Sequence, residues 1–539
     1  VLSPGSRNAP FILSFNGHGS FNCQSILDER SAGFVALGMA QQKKKPVILS
    51  CTSGSAVLNY TPAMVEAFYQ KIPLVAVTAD RPGEWIDQGE GQSMRQVKLM
   101  DNVVLHSVNL VEEHNDDDRW YNGRLINEAF ELAITKSMPV HINVPLKEPL
   151  YGTAPSSYVM PQAFEIVESK KMLSDSELDK LKGIFQASNK VLVLVAQGKE
   201  SAECIEALRE MNACSKVAIV TETHANLYHL GFVSCIDRTI ESFINSDAEV
   251  DYIPDLFITV GSNVISKKIK SLFRRHKKII ADHWHFGDEV MDTFQSLTKL
   301  IKAEANPILS YLSGSLESNA SQFGNSWRAR FFEMEQRHIE FLKTSAYSDL
   351  KVFEIINDFI PDQTSVQMGN SSVVRYIQLF NQIRTVSYFG NRGVSGIEGS
   401  TSTAVGAAQS CDELTLLISG DQAFRYDSNA LAIKNGTENL RVIVINNGGG
   451  NIFRIIDGPK DHDVSHDYIE KVDEQPIGKL VEYHGIDYKE ARNFSSLVKG
   501  LEWLFNPERS TSGVLEIFTP RVDSPQIFKS YLGFLKEGK

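Results

Sequence analysis

The sequence predicts an α/β protein built of three doubly wound parallel-sheet units. Its 539 residues exceed what a single hydrophobic core holds, and three domains of ordinary size is the natural division. β-rich runs ending in small or polar residues alternate with segments of helical periodicity, the pattern of a parallel sheet wrapped by helices. Late in the chain, Gly420 to Phe453 reads as strand, turn, helix, strand, with polar oxygen ligands at the carboxyl ends of both strands. Parallel sheets bind ligands at those ends.

Composition narrows the class. Apolar content of 42% and charged content of 22% describe a soluble globular chain. A net charge of −12 argues against nucleic acid or an anionic membrane as the main partner. The six cysteines form no CxxC and no dense framework, which suits a reducing cytosol and so a cytoplasmic location. No apolar run approaches the roughly 20 residues of a membrane span, and no stretch of the given sequence reads as a secretory signal, so none is expected.

The first unit is read as residues 1–160. VLSPGSR looks like a strand running into a turn, so a short helix is expected to precede it in the complete gene product. PVILSCTSG, IPLVAVTAD and PVHINVP read as strands, with helices over Arg30–Gln42 and Ser55–Tyr69 between them. After Pro145, KEPLYGTAPSSYVMPQ reads as a linker rich in Pro, Ser and Gly. The second unit, 161–340, offers VLVLVAQ, KVAIVTET, LFITVGS and KKIIADHW as strands. It lacks GxGxxG and reads as scaffold, with Lys267 its one candidate site residue. The third unit, 341–539, opens with a helix over Val352–Phe359. It continues through SVQMGNSSVVRYIQLF and a Gly-rich stretch, TVSYFGNRGVSGIEGSTSTAVGAAQ, to the late motif.

In that motif the run Leu414–Ile418 feeds Ser419-Gly420-Asp421. A short helix follows, with Leu431, Ala432 and Ile433 on its apolar side, and Val442–Ile445 then ends in Asn446-Asn447-Gly448-Gly449-Gly450. Singly, Gly-Asp is a helix cap and Asn-Asn-Gly a turn. Together, Asp421 and Asn447 could hold a hard divalent cation through side-chain oxygens. The glycines would let a backbone carbonyl join and a phosphate come close.

Gly-Asp followed one helix later by Asn-Asn resembles the diphosphate and metal signature of thiamine diphosphate enzymes, although Gln422 stands where many of them have Gly. Further stretches sharpen the likeness: SPGSRNAP (3–10), LDERSAGFVALGMA (27–40), TADRPGEWIDQGEGQSMRQ (78–96), GNSSVVRYI (369–377) and GNRGVSGIEG (390–399). Together they resemble the 2-succinyl-5-enolpyruvyl-6-hydroxy-3-cyclohexene-1-carboxylate (SEPHCHC) synthases, thiamine diphosphate enzymes of menaquinone biosynthesis. The likeness covers both terminal units nearly end to end and the central unit more loosely.

The resemblance implies three domains of the thiamine diphosphate-enzyme type, in a homo-oligomer of at least two chains with the site at the dimer interface. It implies decarboxylation of 2-oxoglutarate and addition of the resulting four-carbon unit to isochorismate. It also implies Mg2+, with Mn2+ an alternative, held by Asp421, Asn447 and the Gly449 carbonyl. Gly420, Gln422, Ile452 and Phe453 would adjoin the diphosphate, with Ser371 nearby and Ile397 beneath the cofactor. Glu29 would be the carboxylic acid on the pyrimidine ring, reaching across to cofactor held by the other subunit. Arg375 and Arg392 would meet the donor's carboxylates and Arg81 the acceptor. Ser6, Arg7, Gln92, Lys267 and Ser371 would add further contacts, while Gly91 stands where many relatives carry Asn. An acetohydroxyacid synthase is the rival reading, but small uncharged pockets would serve it better than four arginines. His283 with His285, and His462 with His466, have zinc-like spacing but no completing partner in sequence. The segment 454–470 reads as a lid or a surface loop.

Overall fold

The computed structural model describes residues 1–152, 160–167, 169, 171–198, 204–316, 320–455 and 465–536. Among these the strands form three sheets, every pairing parallel. The first holds β1 (Val47–Cys51), β2 (Leu74–Asp80), β3 (His106–Asn109) and β4 (Val140–Pro145) in the order β1-β2-β4-β3. The second holds β5 (Val191–Val195), β6 (Val217–Thr221), β7 (Leu256–Val260), β8 (Asp282–Phe286) and β9 (Lys299–Ile301), ordered β6-β5-β7-β8-β9. The third holds β10 (Ser365–Met368), β11 (Ser387–Phe389), β12 (Thr415–Gly420), β13 (Leu440–Asn446), β14 (Asp487–Ala491) and β15 (Gly513–Phe518), ordered β11-β10-β12-β13-β15-β14. Val and Ile runs form the central strands because helices cover both faces; β5, VLVLV, is buried throughout.

One apolar layer belongs to two sheets. The helices Glu29–Lys43 and Ser55–Gln70 put Phe34, Val35, Tyr60 and Met64 into the same core as Val405, Phe424 and Val442 of the third unit. There the Glu29–Lys43 helix lies directly on the helix Ser400–Ala408. A Cβ at Gly38 would stand 2.0 Å from the Thr403 carbonyl oxygen, and one at Gly406 1.9 Å from that of Val35. Two glycines therefore let these backbones touch. Asp28 starts the first helix by accepting from the N–H of Arg30 and Ser31.

Several expectations change in detail. The expected N-terminal strand is a single-residue bridge from Leu2 to Ser25 and Ser50. The helix expected after Gly420 is two pieces, a helix Asp421–Tyr426 and a 3-10 turn Ser428–Ala432, with Leu431 buried and Ala432 exposed. The break has a cause: the buried Asp427 carboxylate accepts from the Ser402 N–H and hydroxyl, turning local polar groups away from continued helix. The end of the expected linker approaches the helix Asp116–Lys136, where a Cβ at Gly123 would meet Pro161 at 2.9 Å. The residues just after it lie on the same helix, Asn127 donating to the Phe164 carbonyl and the Ile166 N–H to Glu131. No helix among the described residues is long and apolar enough to cross a membrane.

Candidate active site

The third sheet brings Asp421 and Asn447 together. β12 and β13 are neighbours in register, Gly420 opposite Ile445, so both residues emerge side by side at the carboxyl ends of adjacent strands. Asp421 is 2% exposed, and its Oδ2 is buried without a hydrogen-bond partner among the described residues. Burial pushes its pKa up to about 7, against the pull of the Gln422 N–H and Arg425. Asn447 donates its amide N–H to the Asp349 carboxylate at 3.0 Å, which turns the amide oxygen the other way. The Gly449 carbonyl accepts from the Asn451 N–H at 2.8 Å and keeps a second lone pair. One unpartnered carboxylate oxygen, one amide oxygen and one carbonyl form a donor set suited to a hard divalent cation.

Buried carboxylates hold that turn in shape. Asp349, 1% exposed, also accepts from the Thr519 hydroxyl. Glu516 accepts from the Asn446 amide at 2.6 Å and from the Ile477 N–H, while Asn446 Oδ1 receives the Gly448 N–H. Each asparagine of the pair is thus oriented by its own carboxylate. Gln422 donates to the Glu470 and Lys471 carbonyls, and the Gly450 N–H donates to Glu470 as well, so residues 470–473 brace the glycine turn. Ile452 and Phe453 begin the short helix that leaves it.

A cationic cluster lies at the end of β10. Ser371, immediately before the helix Ser372–Ile377, has φ 72°, a conformation that costs a non-glycine residue free energy and concentrates at functional sites. Arg375 donates back to the Ser371 carbonyl. Arg392 donates to Asn370 Oδ1 at 2.7 Å, while its Nε is buried without a partner among the described residues. Burial, and then Arg375, lower the Arg392 pKa. From the second unit, Glu222 is buried with its pKa pushed up to about 7. It accepts from the N–H of Ile265 and Ser266 and from Gln378 of the third unit. The exposed Lys267 opens the helix Lys267–Arg275 beside this junction; Lys270, one turn on, feels both Arg392 and Lys267.

The first sheet gathers a second cationic group. Arg7, 4% exposed, donates to the Leu146 carbonyl at 2.7 Å and pairs with Glu148 at 3.2 Å; burial and Arg81 lower its pKa. Arg81 forks onto the Gly91 carbonyl at 2.8 and 3.1 Å, with Glu90 at 3.6 Å. Ser6 is exposed at the loop tip, and Gln92, also exposed, has φ 54° and accepts the Ser53 hydroxyl on its carbonyl. Glu29 is half-buried in the first unit, within electrostatic reach of Cys51 and Tyr60. Its flanking residues touch the third unit of the same chain: Asn429 donates to Asp28, and Arg30 donates to the Tyr426 carbonyl and stacks on its ring. No hydrogen bond or ion pair joins the Arg7–Arg81 group to the Asp421–Asn447 group among the described residues. Ile397 is 38% exposed in this chain.

Sequence reading missed Asp349, Glu516, Asn370, Glu66 and Glu222. Asn370 had a signal, since it adjoins Ser371 in the GNSS stretch. The acids had none, because their partners are distant in sequence. The paired histidines are structural: His283 and His285 are buried and share the Thr259 hydroxyl, and burial lowers both pKa values. Of the expected lid, 456–464 lie outside the described residues, and the His462–His466 pair lies outside the described side chains.

Residues 1–99 match the family of the thiamine pyrophosphate enzyme N-terminal TPP binding domain. The chain is 38% identical to the SEPHCHC synthase of Flavobacterium johnsoniae, over 98% of its own length and 95% of the relative's. It is 39% identical to that of Flavobacterium psychrophilum over the same shares. It is 36% identical to that of Porphyromonas gingivalis, over 99% of this chain and 94% of the relative. At such identity over nearly its whole length, the chain belongs to the SEPHCHC synthase family of thiamine diphosphate-dependent enzymes.

Proposed function

We propose that this chain decarboxylates 2-oxoglutarate and joins the remaining four-carbon unit to isochorismate, releasing CO2, in the cytoplasmic synthesis of menaquinone. The observation that carries this reading is the pair Arg375 and Arg392, which follow β10 and β11 of the sheet whose β12 and β13 end in Asp421 and Asn447, with the Arg392 Nε buried and without a hydrogen-bond partner among the described residues. A buried guanidinium with a spare donor suits a carboxylate substrate. Thiamine diphosphate, when bound, supplies the electron sink that decarboxylation of a 2-oxoacid requires.

The chain's own residues divide the rest. Asp421, Asn447 and the Gly449 carbonyl would hold Mg2+, or Mn2+ in its place, against the diphosphate. Gly420, Gln422, Ile452 and Phe453 would shape the turn that takes the diphosphate, and Ser371 and Ile397 would adjoin the cofactor. Glu29 would hold the cofactor's pyrimidine ring through its carboxyl group and keep that ring protonated. Arg375 and Arg392 grip the donor. Arg81, with Ser6, Arg7, Gln92 and Lys267, orients the acceptor, Arg81 exchanging its Gly91 carbonyl for a carboxylate. The three units divide near residues 160 and 340. Leu27, 81% exposed two residues before Glu29, and Trp85, 47% exposed on the Arg81 loop, support a second copy packing over the site in a homo-oligomer.

The test is CO2 release from 2-oxoglutarate, followed by product formation with isochorismate, using purified protein loaded with thiamine diphosphate and Mg2+. Both are expected. If 2-oxoglutarate yields neither CO2 nor product, the reading is wrong.

A further inference from the structure

Arg392 sits on a loop, residues 390–396, that is held at both ends by groups outside it. Asn370, 2% exposed, grips it from the sheet side, donating to the carbonyls of Asn391 and Gly396. The other grip comes from the first unit. Glu66, near the end of the helix Ser55–Gln70 and 1% exposed, accepts the Gly393 N–H at 2.6 Å on Oε1 and the Val394 N–H at 2.8 Å on Oε2. The approach is close: a Cβ at Gly393 would meet the Glu66 carbonyl oxygen at 2.7 Å and its carboxylate at 3.1 Å. Gln70, one turn on, donates to Glu66 Oε1 at 2.5 Å and accepts on its own oxygen from Gln197 of the second unit at 3.1 Å. Helix and loop thus meet on one carboxylate, and Gln70 links it to the second unit.

A buried carboxylate is costly unless its hydrogen bonds are met. Here they are met by the two N–H groups that directly follow Arg392. Carboxylate to backbone N–H is a charge-assisted bond, stronger and shorter than a neutral one. The negative charge also lies within electrostatic reach of the Arg392 guanidinium, compensating it before any substrate arrives.

We propose that Glu66 is a positioning residue for Arg392: its carboxylate fixes the 392–394 backbone, so the first unit sets where the third presents its donor-binding guanidinium. The inference rests on the reading above that Arg392 meets a carboxylate of 2-oxoglutarate. Glu66→Gln keeps the side-chain shape but turns one acceptor into an N–H facing another N–H, which the loop must move to escape.

The experiment is steady-state kinetics of the loaded enzyme, varying 2-oxoglutarate at saturating isochorismate. It compares wild type, Glu66→Gln, Arg392→Lys and the double variant, each checked by thermal melting. Glu66→Gln is expected to raise KM for 2-oxoglutarate about tenfold with kcat within about threefold, as loss of ground-state binding does. In the Arg392→Lys background it should add less than about twofold, because residues acting through one contact are not additive. A wild-type KM in Glu66→Gln, or the same tenfold loss repeated on top of Arg392→Lys, overturns the inference. A wild-type KM in Arg392→Lys overturns the assignment of Arg392 itself, a different failure. Where Glu66→Gln does not fold, Gln70→Ala is the substitute: a KM raised about threefold supports the positioning role, and an unchanged KM refutes it.

Discussion

Asp421 and Asn447 differ in what their burial means. The Asp421 carboxylate has one buried oxygen with no hydrogen-bond partner among the described residues, an unmet acceptor that the proposed cation would satisfy. Asp421→Ala is therefore expected to leave the melting temperature of the cofactor-free protein within the shift of about 1 kcal/mol. Thiamine diphosphate affinity measured by calorimetry in Mg2+ should fall at least about 100-fold, the loss of a charged ligand. Asn447 would instead be a neutral ligand, its amide oriented by its hydrogen bond to Asp349. Asp349→Asn allows the Asn447 amide to turn over, so Mn2+ binding followed by electron paramagnetic resonance in the presence of thiamine diphosphate should weaken about 10- to 100-fold. Equal Mn2+ binding in Asp349→Asn and wild type would show that the asparagine is aimed by the backbone alone.

At the scale of elements, two contacts carry testable weight. The Glu29–Lys43 and Ser400–Ala408 helices touch through Gly38 and Gly406, and this contact joins the first unit to the third. Gly406→Ala places a methyl where the Val35 carbonyl already stands; a cost of roughly 3 kcal/mol or more is expected, read as a lowered urea midpoint. A wild-type midpoint would mean that the helices slide apart freely. The second contact is Glu222, which staples β6 to the Lys267–Arg275 helix and to Gln378. Burial raises its folded pKa from 4.5 to about 7, so between those values the folded chain binds more protons than the unfolded one. Its contribution to stability is thus present in acid and is lost as pH rises toward 7. Relative to Glu222→Gln, which does not titrate, wild type should lose about 2 to 3 kcal/mol between pH 5 and 8. Parallel pH profiles for the two proteins would contradict it.

For the whole molecule, the proposed homo-oligomer requires a surface on which a second copy would pack. Leu27 and Trp85 flank Glu29 and Arg81 and lie open in one chain. The expected outcome is a dimer or larger species in sedimentation at micromolar concentration. Leu27→Asp is expected to shift it toward monomer and to lower turnover at least about tenfold, since a charge buried in an interface is strongly unfavourable. Full activity from a monomeric Leu27→Asp protein would place the complete site within one chain.

The sequence by itself determined the α/β class, the strand-end position of Asp421 and Asn447, and the arginine-bearing loops. These are local facts: a Val/Ile run followed by Gly-Asp or Asn-Asn-Gly makes a strand end whatever surrounds it. It also located the Glu29–Lys43 helix to within a residue at each end, because Asp28 caps it from an adjacent position. Tertiary structure alone decided the rest. It broke the helix after Asp421, because Asp427 finds Ser402 on a different helix. It assigned the histidines of β8 to a hydroxyl in β7 rather than to a metal. It brought Glu66 to Gly393, Asp349 to Asn447 and Glu222 to Gln378, pairs separated by long stretches of chain. The physical reason is common to all of them. A carboxylate's role depends on which N–H groups meet it once water has gone, and no pattern along the chain encodes a partner that only folding brings near.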